Sequence, residues 1–369
     1  MSGGDPKPRT NSVGPQRTFA LALIITLFSV FFSDAAKAQN AYVSNSGDNT
    51  ISVINTVTNS LVTTIVAGNQ PWGVAVSRDG TRAYVTNQGG GNISVIDTTS
   101  NAIIATVPVG SAPTSVAVSP NGTRVYVANQ GSGNVSVINT ATNTVVGVIT
   151  VGSSPGAVAV SPDGTRAYVA NSNNATVSVI NTVTNAINAT IAVGNGPTAI
   201  AISPVGARAY VANASDDTIS VINTDTNAIV TTVAVGTTPS GVAVAPNGTR
   251  VYVSNCSSFN VSVINATDNS IFTTTPVGGC PNGISVNPDG SRTYVANFAD
   301  DTISVISTAT NLVIATVSVG HVPIALGQFI GPTPAISVPT LSQWTLIGLG
   351  LLLGWIAANQ IRRHRDARV

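Results

Sequence analysis

The sequence predicts an all-β fold, a seven-bladed β-propeller built from 42-residue, four-stranded blades. Three observations carry that expectation. Tyrosine occurs seven times, at Tyr42, Tyr84, Tyr126, Tyr168, Tyr210, Tyr252 and Tyr294, always 42 residues apart. Proline keeps the same interval from Pro71 to Pro323, and so does the glycine ahead of an arginine, from Gly80 to Gly290. Between these markers the chain alternates short Val-, Ile- and Ala-rich runs with turn residues. No stretch of the array spaces apolar residues as a helix would over three turns. A 42-residue period with strand-like content reads as propeller blades and not as a helical solenoid.

One unit shows how each strand arises. TSVAVSP, from Thr114, is a strand, and Asn121-Gly122 supplies a tight turn. RVYVAN is the second strand and GSGN the loop after it; NVSVIN is the third strand, NTATN the next turn and TVVGVI the fourth strand. The runs are apolar almost throughout, as expected for sheets covered on both faces by neighbouring blades. Alanine, serine and glycine dominate the first strand, which suits the crowded position next to the axis. The invariant tyrosine of each second strand is read as a packing residue between blades.

The repeat is out of phase with the chain ends. It begins at Ala41 with a second strand and ends with a first strand, PIALGQF, at 323–329. The ring therefore closes by pairing a C-terminal strand with three N-terminal strands in a composite blade, which removes the open sheet edges at the two ends of the array. The stretch PTSVAVSPNGTRVYVANQGSGNVSVINTATNTVV, from Pro113, resembles the YVTN-type β-propeller repeat of prokaryotic surface and periplasmic proteins. The resemblance covers nearly all of 41–329. It implies the propeller fold, whereas the same architecture hosts binding proteins, surface-layer proteins and enzymes.

Composition narrows the function. The 369 residues are 43% apolar and 8% charged, with net charge +1, no glutamate, and lysine only at Lys7 and Lys37. No basic field is available for nucleic acid. Lys7, Arg9 and Arg17 precede the apolar run Phe19–Phe32, and Ala36 and Ala38 sit where signal peptidase reads small residues. Residues 1–38 are therefore expected to be a signal peptide cleaved after Ala38. The propeller is assigned to 39–331, and 332–340 is a proline-bearing linker. An apolar segment at 341–361 is long enough to cross a bilayer as one transmembrane helix, and a basic tail, 362–369, is expected on the cytoplasmic side. Pro339-Thr340-Leu341-Ser342, with Trp344, resembles the IPTL-type C-terminal sorting signal of Gram-negative bacteria, with Val338 in place of the usual isoleucine. That resemblance implies recognition by an exosortase-type enzyme, cleavage, and transfer from the membrane to the cell surface or extracellular polymer.

Within the array the only histidine is His321, in the loop before the last inner strand, where it reads as an exposed loop residue. No histidine cluster, haem-attachment motif or nucleotide cradle is present in the sequence, so no metal or cofactor is expected. The second-to-third loops and the blade-to-blade loops emerge on one face of the ring. On that face they diverge from repeat to repeat (GGGN, SNNAT, SDDT, SSFN, FADDT), whereas the opposite loops are monotonous. Divergent loops on a rigid scaffold are free to contact a ligand. Asp216, Asp217, Phe259, Phe298, Asp300 and Asp301 are the candidate binding residues for a surface ligand or polysaccharide. The aspartate pairs read first as turn formers, since one carboxylate pair per loop is short of a calcium ligand set. Cys256 and Cys280, the only cysteines, fall on the same face and are expected to form a disulfide in an oxidising compartment, contributing about 3 kcal/mol.

On these grounds the sequence is read as a non-enzymatic, surface-bound propeller acting in adhesion, binding or matrix association. Two alternatives stay open: a lactonase-like or quinone-linked dehydrogenase-like enzyme using the central channel, and a structural surface-layer protein. The targeting segments are tested by intact mass. The exported protein should begin at Gln39 and, once sorted, lack residues 342–369; full-length protein confined to the inner membrane contradicts both processing steps.

Overall fold

The computed structural model describes residues 40–205 and 207–331. The proposed signal peptide with its Ala36 and Ala38 site, the sorting motif and the expected transmembrane segment lie outside the described residues. Among the described residues no helix is long and apolar enough to cross a membrane; a three-residue 3₁₀ turn, Gln88–Gly90, is the one helical element there.

These residues form seven four-stranded antiparallel sheets. Six of them run in sequence from inner to outer strand. In the third blade the strands are Pro113–Val118, Arg124–Asn129, Asn134–Asn139 and Thr144–Thr150. The remaining sheet is composite, in the order Pro323–Ile324, Asn40–Asn45, Thr50–Asn55 and Ser60–Val66, so the expected closure is formed. Five hairpins between first and second strands turn on a left-handed glycine, Gly80, Gly122, Gly164, Gly248 and Gly290, with φ of 71° at Gly122, a conformation that glycine adopts without steric cost. The Asn121 side chain accepts from the Thr123 amide in that turn.

All seven tyrosines are buried, with 0–1% of their surface exposed. Their hydroxyls show how blades are joined. The Tyr294 hydroxyl donates to Asn59 Oδ1 at 2.8 Å and to the Thr56 carbonyl at 3.0 Å, across the closing seam. Tyr42 donates to Asn101 Oδ1 at 2.8 Å in the second blade. The arginine two residues before a tyrosine reaches the same turn of the next blade. Arg208 Nη1 donates to the Ala266 carbonyl at 2.9 Å, and Arg292 Nη1 to the Thr56 carbonyl at 2.6 Å. Arg166 makes the equivalent bond to Thr224. The tyrosine therefore packs between blades and also donates a directional bond from one blade to the next.

At the opposite ends of the second strands lie seven fully buried asparagines, Asn45 to Asn297. In the third blade Asn129 Nδ2 donates to Asn134 Oδ1 and Ser136 Oγ, at 2.7 and 2.9 Å. The amide side chain lies so close to the incoming blade-to-blade loop that a Cβ at Gly110 would fall 2.7 Å from it. The same close approach explains the glycine that opens each blade-to-blade loop, at Gly68, Gly110, Gly152, Gly194, Gly236, Gly278 and Gly320.

The closing strand is shorter than the sequence predicts. Its ladder with the N-terminal strand is limited to Pro323 and Ile324, opposite Asn45 and Ser44, with an isolated bridge from Ile330 to Ala41 further on. Gly327, with φ 119°, then redirects the chain. Residues 325–330 pass between the first and second blades, where Val74 and Val76 donate backbone bonds to Leu326 and Gln328, and Tyr42 to Phe329. Phe329 and Ile330 are fully buried there. The C-terminal segment thus ties two blades together where the sequence suggested it would complete one.

Burial raises the pKa of every tyrosine, and for Tyr42 it reaches about 12. A group whose pKa rises on folding favours the folded state fully below its unfolded value of 10.0, and that stability is lost as pH climbs toward the folded value. Phenolate absorbance should therefore be almost absent at pH 10 and appear together with loss of the β-sheet circular dichroism at higher pH. Gradual ionisation around pH 10 with the fold intact would contradict the buried interblade role.

Candidate functional site

The inner strands enclose a mainly apolar lumen. Ala117, Val118, Ala159, Val160, Ala201, Ile202, Ala243 and Val244 are half-exposed on these strands, as are Trp72, Thr198, Ser240 and Asn282 at their starts, and the closing segment bonds along the inner strand at 71–76. None of these side chains titrates near neutral pH. The opposite face carries a hollow of about 360 Å³ near Ser203, Val205, Arg208 and Tyr210, where the hairpin of the fifth blade departs from the repeat. Its arginine is already bonded to Ala266 and Asn269, and no nucleophile and base are paired there.

The divergent face is different. In each blade-to-blade loop a backbone amide points toward the second-to-third loop lying 21 residues away in the repeat frame. Side-chain oxygens meet these amides. Asp216 accepts from Asn195 N at 2.7 Å, Asp300 from Gly279 N at 2.6 Å, Ser132 from Ser111 N at 2.7 Å, and Asp48 from His321 N at 2.5 Å across the closing seam. The next residue in each loop has left-handed backbone, with φ of 55° at Asp217, 53° at Phe259 and 55° at Asp301. Asp217 accepts from Thr238 N and Asp301 from Val322 N, at 2.8 and 2.9 Å. The four aspartates chosen from the sequence thus fasten loops to one another. Among the described residues no group of three or more His, Cys, Asp or Glu gathers in a way that could hold a metal ion. Phe259 is exposed and Phe298 half-buried on this face. Cys256 and Cys280 are joined by a disulfide that staples the sixth blade to the loop entering the seventh.

One position stands apart. His321 Nδ1 lies 3.0 Å from Asp301 Oδ2 and 3.2 Å from Oδ1. The six residues equivalent to His321 are Asn69, Ser111, Ser153, Asn195, Thr237 and Gly279, none of which titrates near neutral pH. The loop around the histidine is held at every backbone group. Its amide donates to Asp48 and its carbonyl accepts from Gly47, while Ser46 and Val322 exchange a backbone bond beside it. The imidazole is nonetheless 63% exposed, and its hydrogen bonds to Asp301 engage Nδ1 and leave Nε2 unbonded among the described residues. Sequence reading placed His321 in an exposed loop but did not join it to Asp301. Comparing the repeats at 42-residue offsets, 20 residues apart, is the signal that finds the pair.

The hydrogen bond to Asp301, with its charge, raises the His321 pKa above 6.5, and the same bond lowers that of Asp301 below 3.8. The sign follows for each. The histidine's contribution is complete below pH 6.5 and lost as pH rises through its raised value. The aspartate's is present above its unfolded value and lost as pH falls through the lowered one. The ion pair therefore holds between those two limits.

A closed ring of seven four-stranded blades, with an exposed His–Asp pair where its two ends meet, defines a seven-bladed propeller. The chain belongs to the lactonase, 7-bladed β-propeller family, which it matches over residues 36–150 and 142–274. Residues 336–365 match the IPTL-CTERM motif. A comparison with curated proteins finds no match. Among solved structures the chain is similar to Kuenenia stuttgartiensis hydrazine synthase, at 21% identity and TM-score 0.65, covering 72% of this chain and 90% of that one. It is similar to a putative 6-phosphogluconolactonase from Bacteroides fragilis at 17% and 0.68, covering 79% and 98%. The dihydro-heme d1 dehydrogenase NirN matches at 20% and 0.58, covering 75% and 63%. At these identities the solved structures speak to the fold. The expectation of a non-enzymatic protein is overturned by membership of a family described as lactonase; the sequence reading treats His321 as an exposed loop residue and not as the partner of Asp301.

Proton resonances of His321 should titrate with a midpoint above pH 6.5, and Asp301→Asn should bring that midpoint down. An unchanged midpoint in the variant would show that the two side chains do not interact in solution.

Proposed function

We propose that the chain is an exported lactone hydrolase sorted to the cell surface, with His321 as general base and Asp301 as the residue that orients it. The observation that carries this reading is the 3.0 Å contact between His321 Nδ1 and Asp301 on an otherwise unreactive face. Family membership supplies the reaction class, and the resemblance to YVTN-type surface repeats together with the IPTL-CTERM motif supports export and handling by an exosortase-type enzyme.

The chemistry follows from the geometry. In the neutral imidazole, Nδ1–H donates to Asp301 and fixes the tautomer whose Nε2 carries a lone pair. That nitrogen takes a proton from water as the water oxygen bonds to the lactone carbonyl carbon. The ring C–O bond then breaks, and the departing oxygen recovers the proton from Nε2, giving the open hydroxy acid. Loops pinned by Asp48, Asp216 and Asp300 supply a fixed surface beside the base, and Phe259 and Phe298 offer apolar area for substrate. General-base catalysis of this kind contributes about 10²–10⁴-fold in rate.

Purified protein assayed on five- and six-membered aldonolactones should show kcat/KM rising with pH to a plateau, half-maximal above pH 6.5. His321→Gln should lower kcat/KM by about 10²-fold or more with an unchanged circular dichroism spectrum, and Asp301→Asn should move the half-point downward. Full activity in His321→Gln would remove the histidine from the mechanism.

A further inference from the structure

The described charges are divided unevenly between the two faces of the ring. All seven arginines, Arg78, Arg82, Arg124, Arg166, Arg208, Arg250 and Arg292, stand in or just after first-to-second hairpins, on the face opposite His321. There they are nearly balanced by six aspartates, such as Asp79, Asp163 and Asp225. The divergent face holds the other five described aspartates, Asp48, Asp216, Asp217, Asp300 and Asp301, against one titratable cation, His321. Hydrogen bonds from the Asn195 amide and side chain lower the Asp216 pKa, and His321 lowers that of Asp301, so both stay ionised across the neutral range.

The second observation concerns backbone donors. A loop face without arginine can still bind an anion through clustered amides or a helix N-terminus. Here the amides that point outward from the blade-to-blade loops at Ser111, Asn195, Thr237, Gly279 and His321 are each already bonded to a side-chain oxygen of the neighbouring loop. Among the described residues the only helical element is the 3₁₀ turn, and its N-cap residue Asn87 is an asparagine occupied inside the blade. The face therefore presents negative charge, and these five loop amides are already committed to side-chain oxygens of the protein.

We infer that the divergent face selects uncharged ring esters and turns away phosphorylated or carboxylated ones, an inference that rests on the hydrolase reading above. It sets this chain apart from any relative that acts on a sugar phosphate, because a phosphate dianion approaching Nε2 meets carboxylates and no guanidinium or ammonium group. Charge of one sign over a reaction site changes encounter rates by 10-fold or more at low ionic strength, and salt removes the effect.

The test compares glucono-1,5-lactone with its 6-phosphate on the full purified protein. At about 10 mM salt the neutral lactone should be favoured by about 10-fold or more in kcat/KM, and the ratio should fall toward unity near about 0.5 M. Asp216→Asn with Asp300→Asn, which keeps a side-chain acceptor for the loop amides, should narrow the low-salt ratio. Equal or preferential use of the phosphate ester, or a ratio indifferent to salt, overturns the inference. Hydrolysis of neither substrate would instead overturn the hydrolase reading. In that event binding decides the charge argument: inorganic phosphate should not shift the His321 imidazole resonances beyond an equal ionic strength of sodium chloride, and a saturable phosphate shift would refute it.

Discussion

A single blade of this protein has two apolar faces and can bury neither by itself. Alternating side chains of each sheet point to the blade before and the blade after, so Tyr126 and Ala128 share a cluster with Val158 and Val169 of the next sheet. Everything else depends on that mutual covering. It makes the repeat obligatory, because an isolated blade would expose as much apolar surface as it hides. It also requires the two chain ends to meet, because an open array would leave one face of the first blade and one of the last in water. The Tyr–Arg bonds from blade to blade add direction to this otherwise non-directional packing. The hydroxyls of Tyr42, Tyr168 and Tyr294 and the guanidiniums of Arg82, Arg166, Arg208 and Arg292 reach acceptors that the next blade presents at a fixed angle and height.

Closure is where the repeat has to be broken, and the breakage is productive. The final unit cannot repeat its hairpin, so Gly327 bends the chain and Phe329 and Ile330 fill the space between the first and second blades. The loop just before this segment is held by residues from both ends of the chain: Ser46, Gly47 and Asp48 on one side and Asp301 on the other. A side chain placed there is exposed to solvent while its backbone is rigid. That combination is what a base acting on bound substrate requires. The His321–Asp301 pair thus lies beside the seam, where the two ends of the array meet.

The arrangement also separates the apolar inner strands from the charged loop face. The inner strands present mainly Ala, Val and Ile, and the chain's own end packs along the inner strand of the second blade. On the loop face the aspartates perform a structural task, capping amides of neighbouring loops, and in doing so leave the face electronegative. The same carboxylates therefore set the charge of this face and hold its loops in place.

The sequence by itself determined the blade count, the four strands of each blade, the turns between them, the two-ended closure and the cysteine pair, because all of these depend on spacing along the chain. A period of 42 fixes which residues repeat, and local alternation with Asn-Gly turns fixes where strands begin and end. Only the tertiary structure decided what happens where periodicity stops. The path of residues 325–330 depends on the room left between two blades, and the partnership of His321 with Asp301 depends on loops from successive blades approaching side by side. The tyrosine signalled packing in the sequence, but its acceptor, 56 to 59 residues onward in the ring, was set by the angle between blades. Chain spacing encodes a repeated unit; contact between non-repeating side chains is created when the ring shuts.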